Sequence, residues 1–468
     1  MKTKKFTPAV LIMTFLFIGW AISPLMAENP TFKLPKYEKF TLKNGLTVYL
    51  MEQHEVPLIT VSALFPAGAD KDGDRFGLAS LTADSLFFGS KNFSKKQIEE
   101  NLEFLGASYS SGASKETARV SMSFVNTDTD KIFPIIKDII QTPTFDQSEF
   151  EKHKKRTLLE LEQDKEQPAG VIGYYFGKFL FGNHPYGNPE TGIPSTVEKI
   201  TASDLKTFYD AYYRPEQSCI AVVGDFQAPR MKEKIKKLFE DWKAQGKPVT
   251  PETKSIPSYD KSRILLVDKK DATETQFIIG TFGIPRNNPD YVSIQVINTI
   301  LGGRFTSWLN DALRVNAGLT YGAGSGFDAL KSTGTFTINS YTRTEFTVKA
   351  IDMALDVLNR LHTTGIDEAT LSSAKNYIKG MYPPRYETAG SLANLLTSMF
   401  FYNFDESFIN NFQQNVDSMS IEKTKEIIAK YFPKDKLTFV LIGKASEILE
   451  QVKKYGELTE KDLKTEGF

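Results

Sequence analysis

Side chains that commonly carry chemistry are scarce in this chain. Among 468 residues there are four histidines, His54, His153, His184 and His362, and one cysteine, Cys219. No two histidines stand at the i, i+4 spacing that places two imidazoles on one helix face, so each is expected to be structural or at the surface. His184 should be the most ordered, because Pro185 and Gly187 shape the turn around it. A single cysteine permits neither an internal disulfide nor a cysteine-rich zinc module. The richer candidate is LNDALRVNAGLTYGAGSGF, in which Arg314 and Tyr321 lie seven residues apart, with Gly302, Gly303, Gly322, Gly324 and Gly326 around them. A guanidinium offers planar donors to a carbonyl, and a tyrosine hydroxyl can donate to an oxygen on which charge develops. A helix bearing Arg314 is expected to end near Ala317-Gly318, with glycine as a left-handed cap, and Leu319 to Tyr321 to enter a strand. The glycine run lacks the Gly-Lys-Ser/Thr ending of a P-loop and the spacing of a dinucleotide turn. Close approach of backbone to an extended peptide is its expected use. In isolation, such a pair reads better as a surface arginine and a core tyrosine.

The elements that must position these residues follow from composition and pattern. The 57 basic and 57 acidic side chains balance, which gives no electrostatic reason to expect nucleic acid as a partner. A hydrophobic fraction of 41%, before the 31 glycines are added, is that of a globular protein, and the length suits two or three domains. Lys2, Lys4 and Lys5 precede the apolar run from Ala9 to Ile22, followed by Pro24 and Ala27, the order of a secretory signal. The run is shorter than the roughly 20 residues that cross a bilayer, so residues 1–27 are expected to be removed, leaving a mildly acidic chain without a stable membrane anchor, exported and periplasmic. Two β-rich runs flank Asn44-Gly45, a strong hairpin signal. Residues 245–261, with three prolines and no apolar period, read as a linker between domains at 28–244 and 262–468. Thr201 and Ser420, and likewise Gly224 and Gly443, share one offset of 219 residues within similar helix-turn-strand runs. Two homologous domains by duplication account for this. The expected class is α+β, each domain a mostly antiparallel sheet with helices covering one face.

Four segments, in this order, resemble the pitrilysin/insulinase-like zinc metallopeptidases: the NGL hairpin with FPAGADKDGDRFGLASLTADSLFFGS, then HPYGNPETGIPSTVEKIT, then YYRPEQSCIAVVGD, then LGGRFTSWLNDALRVNAGLTYG. That family carries an inverted H-x-x-E-H motif on a helix. Here the frame reads Gly77-Leu78-Ala79-Ser80-Leu81-Thr82-Ala83-Asp84-Ser85. The resemblance places the two histidine ligands at Ser80 and Asp84, the general base at Ala83 and the third ligand, a glutamate on a later helix, at Glu160. A hydrolytic zinc needs about three good protein ligands and a base for its water. Ser80 is a poor ligand and Ala83 cannot accept a proton, so no metal is expected on this chain, and Glu160 is expected on a solvated helix face. The Arg314/Tyr321 spacing does match the family, whose members reach with this pair across a chamber toward the zinc of the opposing half.

The resemblance therefore implies the non-catalytic subunit of a heteromeric zinc peptidase of the processing-peptidase branch, inactive alone. It would supply Arg314, Tyr321 and half of the chamber wall to a homologous partner that has the intact motif, holds the zinc and cleaves peptides. Two further readings remain: a scaffold or peptide-binding protein with no enzymatic partner, and an independent hydrolase built on Asp84 and Glu160.

Overall fold

The structure, a computed structural model, describes residues 32–247, 249 and 254–468. The basic and apolar leader, with its expected cut after Ala27, lies outside the described residues, as does part of the 245–261 segment. Two six-stranded sheets form. The first contains β1 (Glu38–Thr41), β2 (Thr47–Glu52), β3 (Leu58–Phe65), β4 (Ser108–Ala113), β5 (Ala118–Val125) and β6 (Cys219–Gly224), in the order β1-β2-β6-β3-β5-β4. The second contains β7 (Arg263–Asp268), β8 (Glu274–Phe282), β9 (Ala323–Ala329), β10 (Gly334–Arg343), β11 (Thr438–Gly443) and β12 (Glu457–Asp462), in the order β12-β7-β11-β8-β10-β9. In each sheet a late strand inserts between the first two of the repeat, parallel to one and antiparallel to the other. Gly224 faces Glu52 in that register, and Gly443 faces Asp268. The outer edges differ: β1 is an antiparallel hairpin strand, whereas β12 returns from the C-terminal end and runs parallel to β7.

Local chemistry fixes these elements. At the first hairpin Gly45 adopts φ +90°, and the Asn44 side-chain amide donates to the carbonyls of Phe239 (2.7 Å) and Trp242 (2.9 Å), anchoring the turn. Thr201 accepts from the Asp204 N–H and Ser420 from the Lys423 N–H, so each caps its helix, Ala202–Tyr212 and Ile421–Tyr431. Such caps are worth about 1 kcal/mol each.

Helices cover both faces of each sheet, not one. Every residue of β6 is buried. Ile220 and Val222 pack into the core of the first half, while Cys219, Ala221 and Val223 face the opposite way, into a core shared with the second half. The cover on that second face is the helix Ala389–Tyr402, which packs on β3 and β6. Reciprocally, the helix Pro168–Phe181 from the first half packs on β8 and β11 and buries Val171, Tyr175 and Phe176 against Val440 and Ile442. Each half thus lends a helix to the other. Burying a large apolar side chain contributes about 1.5–3 kcal/mol, so the exchange binds the halves firmly.

The hairpin tips add a polar tie. Glu116, buried between β4 and β5, accepts from the Lys331 N–H between β9 and β10, at 3.0 and 3.1 Å to its two oxygens. It also accepts from the Tyr186 hydroxyl, which itself accepts from the Ser332 N–H at 3.2 Å. Burial raises the Glu116 carboxyl above its usual range in spite of these donors.

Candidate functional site

Two regions carry the candidate residues, and they are built differently. The first is the helix Leu78–Asp84. Its start is held by Asp72, whose buried carboxyl accepts from the N–H groups of Gly77 and Ala79, both at 2.8 Å, and which burial raises well above the usual carboxylate range in spite of these donors. Gly77, at φ +94°, lies against the Thr191 carbonyl, which a Cβ would approach to 2.9 Å. A side chain there would therefore clash and be strained. Ala83 is fully buried, and its carbonyl accepts from the Ser111 hydroxyl of β4 at 2.6 Å. Ser80 and Asp84 are half-buried.

Asp84 is already engaged. Its Oδ2 lies 3.1 Å from Nε2 of His153 on the helix Gln147–Lys165, and Arg156 Nη2 lies 3.1 Å from His153 Nδ1. A guanidinium has only hydrogens to give, so Nδ1 accepts and Nε2–H donates to Asp84. Phe88 packs edge-on to the imidazole, centroids 5.3 Å apart. Glu160, two turns further along the same helix, is exposed to solvent. The donor set does not fit zinc: a serine hydroxyl, an alanine, a carboxylate committed to a histidine, and a solvated glutamate fall short of three converging ligands. Among the described residues no group of three His, Cys, Asp or Glu side chains is placed to hold a metal ion. The histidines are dispersed. Exposed His54 pairs with Asp225 at 2.6 Å, and His184 accepts from the Tyr186 N–H at 3.1 Å within its turn. The His153 contact is the one that reading the chain alone missed, because the run EFEKHKKR looks like solvated surface and nothing local points to residue 84.

The second region is open. Ser307 caps a short helix, Trp308–Asn310, which continues as a π-helical turn, Asp311–Asn316. The Ala317 N–H reaches the Ala312 carbonyl, five residues back, at 3.1 Å, and the Leu319 N–H reaches Leu313 at 2.9 Å. Such widened turns cluster at functional sites. Gly318 at φ +61° ends the turn as expected. The following strand starts at Ala323, not at Leu319 to Tyr321: Thr320 Oγ1 accepts from the Gly322 N–H (3.1 Å) and Ser340 Oγ donates to the Gly322 carbonyl (2.9 Å). These bonds hold residues 320–322 as a bend and leave Tyr321 81% exposed. The glycines also need correction. A Cβ on Gly302 would come within 2.2 Å of the Ser325 nitrogen of β9, so its small size serves packing within the chain, whereas Gly322 and Gly326 face open space.

Arg314 and Tyr321 line one cavity of about 770 Å³, together with Arg304, Phe305 and Tyr377. Ala169, Ile172 and Gly173 of the exchanged helix Pro168–Phe181 form another part of its wall. The Arg314 guanidinium lies 4.6 Å from the Phe305 ring centroid, a cation–π contact. The volume falls in the range of ligand-binding clefts. Thus Arg314 and Tyr321 share a cavity, whereas Ser80, Ala83 and Asp84 share a helix sealed by the His153 contact and Glu160 stands apart.

The chain matches two sequence families: residues 47–190 match Insulinase (Peptidase family M16), and residues 199–378 match the Peptidase M16 inactive domain. Among relatives, the non-peptidase homolog YmxG of Helicobacter pylori is 23% identical over 397 residues, spanning 84% of this chain and 90% of its own. The zinc protease PqqE of the same organism is 22% identical over 416 residues, spanning 87% of this chain and 93% of its own. Among solved structures, a peptidase M16 inactive domain from Pseudomonas fluorescens superposes with a TM-score of 0.82 at 26% identity, covering 87% of this chain and 98% of that one.

Proposed function

From the premise that the chain belongs to the insulinase-type peptidase family M16, we propose that it is the non-catalytic subunit of an exported heteromeric zinc metallopeptidase of the processing-peptidase type. One observation carries this reading: Asp84, where the resemblance puts a metal ligand, is tied to His153, while Arg314 and Tyr321 stand in an open cavity. Zinc, when bound by a partner with the intact motif, would supply the activated water and a polarising charge. This chain's residues would do the rest of the binding. Arg314, steadied over Phe305, would hold a peptide carbonyl through parallel N–H donors. Tyr321, projecting from its fixed bend, would donate its hydroxyl hydrogen toward the oxygen on which charge develops. That the same bacterium has a relative named as a non-peptidase homolog and another named as a zinc protease supports a division of labour.

Reconstitution is the test. The chain alone should bind no stoichiometric zinc and cleave no peptide, and cleavage should appear on adding a homologue with an intact motif. Absence of complex formation and of cleavage with every such homologue encoded beside it would favour the scaffold reading instead. Zinc retained by the isolated chain, with metal-dependent cleavage lost in Asp84→Asn and Glu160→Gln, would favour the independent hydrolase.

A further inference from the structure

The cavity that holds Arg314 and Tyr321 has a chemical bias. Two of its wall residues are arginines, Arg304 and Arg314, and among the described residues lining it there is no aspartate or glutamate. Neither guanidinium is paired: among the described residues no carboxylate lies within ion-pair distance of either arginine. Arg304 is half-buried and spends Nη1 on the Ser373 hydroxyl at 3.1 Å, while its buried Nε has no hydrogen-bond partner. A buried donor without a partner is uncommon in folded proteins. Aromatic surface flanks both cations: Arg304 stands 5.7 Å from the Tyr377 ring centroid and Arg314 stands 4.6 Å from that of Phe305. Phe305, Tyr377 and Tyr321 are themselves exposed. Two unpaired guanidiniums against rings in a concave wall make a receptor for anionic groups, because each can fork onto a carboxylate where an uncharged peptide would leave that capacity unused.

We infer that this cavity selects peptides by negative charge: an extended peptide lies in it with an acidic side chain or its terminal carboxylate between Arg304 and Arg314. Arg304 is then a specificity residue beside the Arg314/Tyr321 pair. The inference rests on the reading above that the cavity receives peptide, but not on the partner subunit, so it is tested on the isolated full chain.

Fluorescence anisotropy with three labelled peptides of equal length, which differ only in carrying glutamate, glutamine or lysine side chains, reads it directly. The glutamate peptide should bind about tenfold or more tighter than the glutamine peptide, the value of one charge-assisted contact, and lysine weakest. Added salt should narrow the gap. Arg304→Gln should abolish most of the preference, and Arg304→Glu should shift it toward the lysine peptide, a gain that loss of folding cannot mimic. Equal binding of the three peptides, unaltered by both variants, would overturn the charge selection and leave peptide capture standing. Binding of none would overturn both. Displacement of the glutamate peptide by a single-stranded oligonucleotide at lower concentration than by unlabelled peptide would also overturn it, in favour of a phosphate ligand.

Discussion

The helix Leu78–Asp84 and the segment 307–326 belong to the two repeats of one fold, and they have diverged in opposite senses. In the first, polar groups are engaged within the chain: the Ala83 carbonyl takes the Ser111 hydroxyl and Asp84 takes His153, itself backed by Arg156. In the second, Tyr321 and Phe305 are largely exposed, two arginines lack carboxylate partners among the described residues, and a π-helical turn holds Arg314 in place. Exposed rings and cations without a carboxylate add little to stability beyond the Arg314–Phe305 contact, whereas the Asp84–His153 contact is expected to serve stability. The contrast separates a site absorbed into the scaffold from one kept available for a ligand. Substitutions should therefore divide the same way, with activity lost and folding unchanged on one side, and folding weakened with activity kept on the other.

The largest effect is expected at Tyr321. Tyr321→Phe deletes one hydroxyl from an exposed ring, so thermal unfolding should stay within about 0.5 kcal/mol of the parent. In the reconstituted enzyme, loss of one preorganised donor should lower kcat by about 10²–10³. Arg314→Ala should match it. Unchanged rates in both variants would remove the second region from the chemistry and erase the contrast.

Next in size is the tie that keeps both regions in one frame. Glu116→Ala leaves the Lys331 N–H and the Tyr186 hydroxyl facing a vacated buried space, which should cost about 2–3 kcal/mol and lower the melting temperature of the whole chain, since both sheets meet there. Separate melting of the halves in this variant would show that the exchanged helices alone do not keep them cooperative. His153→Ala should cost less, about 1–2 kcal/mol, because Asp84 retains some access to water. Reconstituted kcat should not change, and a drop in kcat larger than the drop in folded fraction would show that the first region still serves the reaction.

Much of this arrangement was legible along the chain, wherever the determinant is local. Asn44-Gly45, the Thr201 and Ser420 caps and the left-handed Gly318 each depend on a few neighbouring residues. The remainder depends on contacts between distant segments. The helix PAGVIGYYFGKFLF is apolar nearly all round, a mark of burial, yet nothing in it names the sheet of the other half as its cover. The neighbours of Tyr321 favour a strand, whereas the bend is imposed by Ser340 from β10. His153 lay in a charged run whose helix turns one residue toward Asp84, 69 positions away. The proposed charge selection by the cavity is equally hidden, since Arg304 becomes meaningful only beside Arg314 in a wall with no carboxylate among the described residues.

The last effect expected is a gain rather than a loss, a pH dependence on the sealed side of the molecule. Asp70, in the loop before the Leu78–Asp84 helix, has a buried Oδ1 with no partner, while its Oδ2 meets Lys71 Nζ at 2.5 Å. Burial outweighs the lysine and pushes this carboxyl up to about 6. The folded chain therefore holds this proton more tightly than the unfolded chain, whose aspartates titrate near about 3.9. Stability from this residue is complete below about pH 4 and is lost as pH rises through about 6. Asp70→Asn supplies an uncharged amide at every pH. Relative to the parent, the variant should gain about 2 kcal/mol between pH 4 and pH 7, seen as diverging denaturant midpoints at constant slope. Parallel midpoints across that interval would mean that water reaches Oδ1 and that the first region is less closed than its contacts imply.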